Sequence, residues 1–418
     1  MKKKNKLDYK WIILGICFSM TFVCLGFCSS NKGLYLTAIT EALDIKRSLF
    51  SINDSCRFVA SAVINLFFGT LVERFGVRKM TAFGFVSLIA STLIYAYATN
   101  IFVFYIGGTL LGIGLAFTTT TMASSVIRRW FKKDIGKYTG IVFAANGIGG
   151  AVAAQIASPM INEEGNPFGY RTSYLVVALI LLVVGVLAVV LLRERPQNEV
   201  PVVSTTTKKK VSNETCYGIK YEQAKKRPYF CLSAIMVLLT GFILQGITGV
   251  YAAHMKDVGL NAGYIATVVS VFSLSLTASK LVVGALYDRF GLRIILILCQ
   301  GSTVLAFLAM VFLSPSASGM VLAMVFAIFY ALALPLETLV IPLIVNDMFG
   351  VASYDKILGI FCAMNYTGYA LGAPIVNLCY DIFGSYKPIL LTFSLLMIPI
   401  CIVFQFGVSA AQKDKTNY

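Results

Sequence analysis

The sequence predicts an all-α membrane protein of twelve transmembrane helices in two pseudo-symmetric six-helix bundles. Three observations predict it. Of 418 residues, 58% are hydrophobic and only 13% charged, about half the roughly 25% of a soluble domain, so too little polar surface remains to face water. Twelve apolar runs follow one another, most near the ~20 residues that cross a hydrocarbon core of ~30 Å. A ten-residue segment, Gly69 to Arg78, recurs as Gly284 to Arg293 at an offset of 215.

In order, the runs are 11–38, 48–72, 79–98, 101–126, 137–160, 172–193, 229–253, 262–286, 292–313, 318–346, 356–379 and 385–407. The first and tenth are long, which calls for tilt or a kink, and Pro335 and Pro342 supply the means in the tenth. The basic start, Met1 to Lys6, precedes a run too long for a signal-peptide core, so it reads as an uncleaved first span. The 34 glycines suit helices that pack closely in lipid.

Charge sets the orientation. Of 35 Lys and Arg, 27 fall on one side: at the N-terminus, in 73–79, 128–137, 193–227 and 289–293, at Lys356 and in the tail. Five fall on the other side and three, Lys32, Arg57 and Lys280, inside spans. This bias predicts a multi-pass protein of the cell membrane with both termini cytoplasmic. It also accounts for the net charge of +16 without a nucleic-acid partner. The polar stretch 194–227 predicts a cytoplasmic central loop between an N-terminal bundle, 1–193, and a C-terminal bundle, 228–418. Asn213-Glu214-Thr215 matches a glycosylation sequon, which such a loop never presents to the enzyme.

The ten cysteines form no CxxC, and His254 is the sole histidine, so no metal site, cofactor or disulfide framework is expected. Neither HExxH, GxSxG nor a P-loop occurs, which argues against an enzyme or an ATP-driven pump. A second internal echo pairs Gly140, Asn146 and Gly149 with Gly359, Asn365 and Gly368 at an offset of 219, in the fifth span of each half. Paired halves of this kind place a substrate site at their interface near the midplane.

The two repeated loops resemble the G-x-x-x-[DE]-R-x-G-x-[RK] signature of the major facilitator superfamily. That resemblance implies gating roles on the cytoplasmic side for Glu73, Arg74 and Arg78, and for Asp288, Arg289 and Arg293. More locally, Trp130-Phe131-Lys132-Lys133 followed by Gly140, Gly147 and Gly149 resembles the monocarboxylate transporter branch and the neighbouring oxalate:formate antiporters. Lys32 stands where monocarboxylate transporters place an essential lysine, and Lys280 where they carry an arginine. Leu276 replaces the aspartate those proteins hold one turn earlier.

An ionisable group inside a span costs at least ~2.5–3.5 kcal/mol, so each one needs a reason. Lys280 lies eight residues before Asp288, ~12 Å in by helical rise, and reads as a cavity ligand rather than a snorkelling lysine. Lys32, with Ser29, Ser30 and Asn31, makes a polar patch suited to a wet cavity. Arg57 reads equally as the helical partner of Asp54 or as a bidentate carboxylate ligand. Glu337, ten residues before Asp347, reads equally as a proton-coupling group or as a counter-ion to a cation. Tyr366 joins the substrate-binding candidates; Gln245, Asn146, Asn365 and Tyr369 are softer ones, since span amides more often join helices. Three cations against one carboxylate leave an interior near +2, an excess that an anion relieves.

The expected function is therefore a secondary transporter, working as a monomer in lipid. It would move a small mono- or dicarboxylate by alternating access, coupled to protons or to exchange of a second anion. The alternatives are an inorganic-anion, nitrate-like exchanger using Arg57 and Lys280, and a non-transporting nutrient sensor on the same fold.

Overall fold

The computed structural model describes residues 9–193 and 218–416, apart from 31–34, 36–37, 41, 46, 132 and 162–167. In the first half, α1 is Tyr9–Gly26, α2 Arg47–Phe75, α3 Val77–Tyr97, α4 Ile101–Trp130, α5 Ile135–Ile161 and α6 Gly169–Leu191. In the second, α7 is Pro228–Thr248, α8 262–290, α9 292–311, α10 317–349, α11 Tyr354–Phe383 and α12 Lys387–Thr416. Ten helical stretches among the described residues are long and apolar enough to cross a membrane. One of them, Thr267–Val311, is α8 and α9 joined at Gly291, and α11 completes the twelve.

The repeated segments make matched turns. Gly76 joins α2 to α3 with φ 81° and ψ 157°, and Gly291 joins α8 to α9 with φ 78° and ψ 176°. This backbone region is essentially open to glycine alone, and another residue there costs ~1–3 kcal/mol. Gly291→Ala is expected to lower the unfolding midpoint in detergent by about 2–10 °C. Gly301→Ala, in α9 with nothing near its missing Cβ, should leave that midpoint unchanged or raise it, because Ala is the better helix former.

The repeat extends to packing. In the first bundle α1 lies on α5, α2 and α3 on α4, and α3 on α6. In the second, α7 lies on α11 and the α8–α9 unit on α10 and α12. The bundles meet along two seams, α2 with α11 and α5 with α8, which exchange places when the helices are shifted by six. Small residues let the α5–α8 seam close. A Cβ on Gly136 would lie 2.5 Å from the Gly284 carbonyl oxygen, and one on Gly140 would lie 2.6 Å from that of Lys280. Outer faces are apolar, as lipid requires: α6 exposes Leu179, Leu182, Val183, Val186, Leu187 and Val190.

Both ends of the described chain, at Tyr9 and Thr416, lie on one face, here termed the terminal face. The Tyr9 hydroxyl donates to the Leu191 carbonyl at 2.6 Å, the Trp130 indole to the Arg193 carbonyl at 3.0 Å, and Arg227 pairs with Asp414 at 3.4 Å. Of the expected central loop, 194–217 lies outside the described residues. The remainder docks on the second bundle: the Ile219 N–H donates to the Phe349 carbonyl at 2.9 Å, and the Tyr221 N–H to the Ser353 hydroxyl at 3.1 Å.

Four spans are interrupted. The expected first run, 11–38, is helical to Gly26, turns through Ser30, and is helical again at Tyr35 and over 38–40. The seventh stops at Thr248, and a short helix, Tyr251–Asp257, follows. α4 breaks at Thr119, and α10 breaks around Leu334 and Leu339, flanking Pro335–Thr338. These interruptions fall at equivalent places in the two halves, and all but one of them abut the same internal space through Ser29 and Ser30, Thr248, Thr119 and Thr338.

Candidate functional site: a polar cavity between the bundles

A cavity of about 650 Å³ lies between the two bundles. On the terminal side the helices close beneath it: Gly136 and Gly140 of α5 touch Gly284 and Lys280 of α8, while Gly69 of α2 meets Lys356 and Gly359 of α11 meets Asn65. Beyond these contacts α5 turns Asn146, Gly150 and Ala154 to the cavity, α8 turns Ser273, and α2 turns Asp54. The bundles thus touch from the terminal face to midspan and part toward the opposite face.

Among the described residues Arg57 is the cation on the wall. It is only 7% exposed, so its charge must be met locally. Nη1 donates to the Ser29 hydroxyl at 2.8 Å, and Nε lies 3.5 Å from Asp54 Oδ1. The guanidinium covers the Phe58 ring at 4.2 Å, a cation–π contact. Phe58 in turn stacks across the seam on Tyr366 at 6.4 Å and meets Tyr369 edge-on at 5.3 Å. One chain of contacts therefore runs from the arginine of the first bundle to the tyrosines of the second.

Glu337 faces the cavity from α10 on the short segment between the two breaks. It is also 7% exposed, and its Oε1 accepts no hydrogen bond from the protein. Its backbone carbonyl accepts from Asn365 Nδ2 at 3.1 Å. Asn146 Oδ1 accepts from the Ser30 hydroxyl at 2.9 Å. Gln245, Asn146, Asn365, Tyr366 and Tyr369 all line the cavity, with the two amides just described also joining helices.

Lys280 is placed otherwise than a cavity ligand. It is 5% exposed, is absent from the cavity wall, and donates through Nζ to the Phe143 carbonyl of α5 at 3.3 Å. The cause is Gly140, which brings the two backbones so close that the lysine stem is covered within the seam. Asn31 and Lys32 lie outside the described residues. The sequence treats Asp54 only as the partner of Arg57, yet it faces the cavity too. Among the described residues the charges on and just behind the wall are therefore Arg57 and Lys280 against Asp54 and Glu337, with Lys32, which the expected excess also counts, outside them.

The motif residues divide. Glu73, Arg74, Arg78, Arg289 and Arg293 are exposed on the terminal face, Arg293 donating to the Ser409 hydroxyl at 3.0 Å within its own bundle. Asp288 alone of the six reaches the other bundle among the described contacts, accepting from the N–H groups of Gly136 at 3.0 Å and Lys137 at 2.7 Å. It thereby caps the first turn of α5, where the helix dipole favours a carboxylate. The residue equivalent to Gly136 in the second half is Asp355, which would repel Glu73; instead Arg129 of α4 forms an ion pair with it. Sequence reasoning missed this pair because its members lie 226 residues apart.

His254 is not part of the cavity. It is 3% exposed, its Nε2 lies 3.1 Å from the Met310 carbonyl, and burial pushes its pKa down. That is the setting of a neutral structural imidazole.

The comparisons agree with this architecture. The family model described as Major Facilitator Superfamily matches residues 16–336 and 234–417. The chain is similar to the uncharacterized MFS-type transporter YcxA of Bacillus subtilis (strain 168), 24% identical over 292 residues, 69% of this chain and 67% of that one. It is 20% identical to the sialic acid transporter NanX of Escherichia coli (strain K12) over 288 residues, 68% of this chain and 64% of that protein. In fold it is similar to the MFS proton:xylose symporter XylE, with a TM-score of 0.75, 13% identity and coverage of 96% of each chain. The twelve spans, the exchanged seams and the match over most of the length place this chain in the Major Facilitator Superfamily of membrane transporters.

Proposed function

We propose that this member of the superfamily is a secondary active transporter that carries a small organic anion across the cell membrane by alternating access. The observation that carries the proposal is Arg57, a buried guanidinium on the wall of a cavity that the two bundles share. A carboxylate has few better partners. The resemblance of the segment from Trp130 to Gly149, and of Lys32, to the monocarboxylate branch supports the same cargo.

Cargo enters from the face opposite the termini and settles against Arg57. Release on the terminal side requires Asp288 to leave the α5 terminus and Arg129 to leave Asp355. As α5 and α8 separate there, Lys280 loses the Phe143 carbonyl and becomes available to cargo or to Glu337. Lys32 would meet the anion from the first bundle. Glu337 is the group suited to take up a proton, which would couple transport to protons; anion exchange is the other mode. The charge bias of 27 to 5 supports cytoplasmic termini, and a cavity walled by one chain supports a functional monomer.

The test is uptake into proteoliposomes under an imposed gradient of lactate, pyruvate, formate or oxalate. Uptake of at least one, above protein-free vesicles and undiminished by nitrate, is expected. Transport of nitrate with no effect of any carboxylate would contradict the anion class and favour the inorganic exchanger.

A further inference from the structure

The break in α4 gives the cavity a second feature that Arg57 alone does not explain. At Thr119 the backbone takes φ −122° and ψ −132°. Its N–H still bonds the Leu115 carbonyl at 3.1 Å, and its own carbonyl already accepts from Ala123 at 2.8 Å. The helix therefore ends and restarts, and Thr120–Trp130 is a separate eleven-residue helix. Its first N–H groups stand outside the ladder, as at any helix start. Thr119 and Thr120 both line the cavity, so the positive end of this half-helix opens onto it, while Arg128 and Arg129 occupy the opposite end, in the last turn. A discontinuous helix of this sort is a common way to meet an anionic group in mid-membrane.

The wall contributed by the second bundle has the opposite character. Glu337 is more than nine-tenths buried and lines the cavity, and its Oε1 is unmet by any protein donor. Beside it Thr338 also lines the cavity, with a buried hydroxyl that makes no hydrogen bond. A buried acceptor left unmet costs free energy, and a plain carboxylate at this end makes matters worse. What relieves it is a hydrogen-bond donor.

Resting on the organic-anion reading, we infer that the cavity is a two-ended site for a carboxylate that also carries a hydroxyl or ammonium group. The carboxylate sits between Arg57 and the start of Thr120–Trp130 in the first bundle. The donor sits against Glu337 and Thr338 in the second. One ligand then satisfies both bundles at once, and a carboxylate without a donor satisfies only the first. Arg57 between Asp54 and Glu337 on the described wall, with Lys280 behind it, accords with a ligand of mixed polarity.

The test compares two matched sets by ligand-dependent thermal stabilisation of the purified full-length protein, which reports affinity by mass action. One set is propionate, lactate and alanine; the other is phenylacetate, mandelate and phenylglycine. Within at least one set the hydroxy or amino acid should bind at least tenfold more tightly than the unsubstituted acid. Glu337→Met should reduce that ratio to below threefold. Glu337→Gln, which keeps the shape and an acceptor, should retain a hydroxyl preference and lose an ammonium preference, so it tells the two donors apart. Equal binding within both sets, or a ratio untouched by Glu337→Met in a protein that still binds, overturns the two-ended site and leaves the organic-anion reading standing. Failure of every acid in both sets to bind overturns the two-ended site, and overturns the organic-anion reading with it where lactate, pyruvate, formate and oxalate are not taken up either.

Discussion

Replacing Arg57 with alanine is expected to reduce carboxylate uptake, at sub-saturating concentration, by roughly 30-fold to several thousand-fold. The range follows from the ~2–5 kcal/mol lost when one partner of a buried, hydrogen-bonded charge pair is truncated. The substitution also removes the hydrogen bond to Ser29 and the cation over Phe58, which loosens the aromatic contact across the seam. Asp54 is left without its arginine, but its side chain is 43% exposed, so water can solvate it and folding should survive. Arg57→Lys should fall between wild type and alanine, since it keeps the charge and loses the planar fork. Initial uptake rates in proteoliposomes, with detergent elution profiles as the folding check, measure the effect. Wild-type rates in Arg57→Ala would remove the residue on which the cargo assignment stands.

Asp288→Asn is expected to open the terminal face. The carboxylate accepts two N–H groups from the first turn of α5, and this cap joins the bundles only while they are closed on that side. Exchanging a charged acceptor for a neutral one at a helix start on an exposed face costs about 1–2 kcal/mol. That is roughly 5- to 30-fold in the ratio of closed to open states. Adding Arg129→Gln, which breaks the ion pair with Asp355, should move the equilibrium further in the same direction. Spin labels at Lys79→Cys in α3 and Gln412→Cys in α12, both exposed, report the change as growth of a longer-distance population in the double mutant. An unchanged distribution would mean that other contacts hold this face shut.

Much of the fold was legible because membrane crossing is a demand on length and polarity that any twenty-residue window reveals. The α2–α3 and α8–α9 turns were legible for a different reason. The repeated segments mark them as matched loops, and the structure adds that both Gly76 and Gly291 adopt there a backbone conformation that other residues avoid. The wall of the cavity was only partly legible. Arg57, Glu337 and Tyr366 were singled out as polar intruders in apolar spans, and all three line it. Lys280 was singled out for the same reason, yet lies in the seam, because which way a side chain turns depends on how closely Gly140 lets α5 approach. Depth in a span can be counted along the chain; the neighbour across the gap cannot. The break in α4 left a trace in four consecutive threonines, 118–121, an unusual run at midspan. Their meaning emerges only once Thr119 is seen to end one helix and precede the next.

The position of the cargo decides the matter most directly. A structure determined with the carboxylate that the uptake assay selects should show its oxygens ~2.7–2.9 Å from the Arg57 guanidinium, the usual charge-assisted separation. The rest of the molecule should reach toward Glu337, inside the cavity between the bundles. Cargo bound elsewhere, or held in that cavity while Arg57 contacts only Asp54 and Ser29, would contradict the assignment.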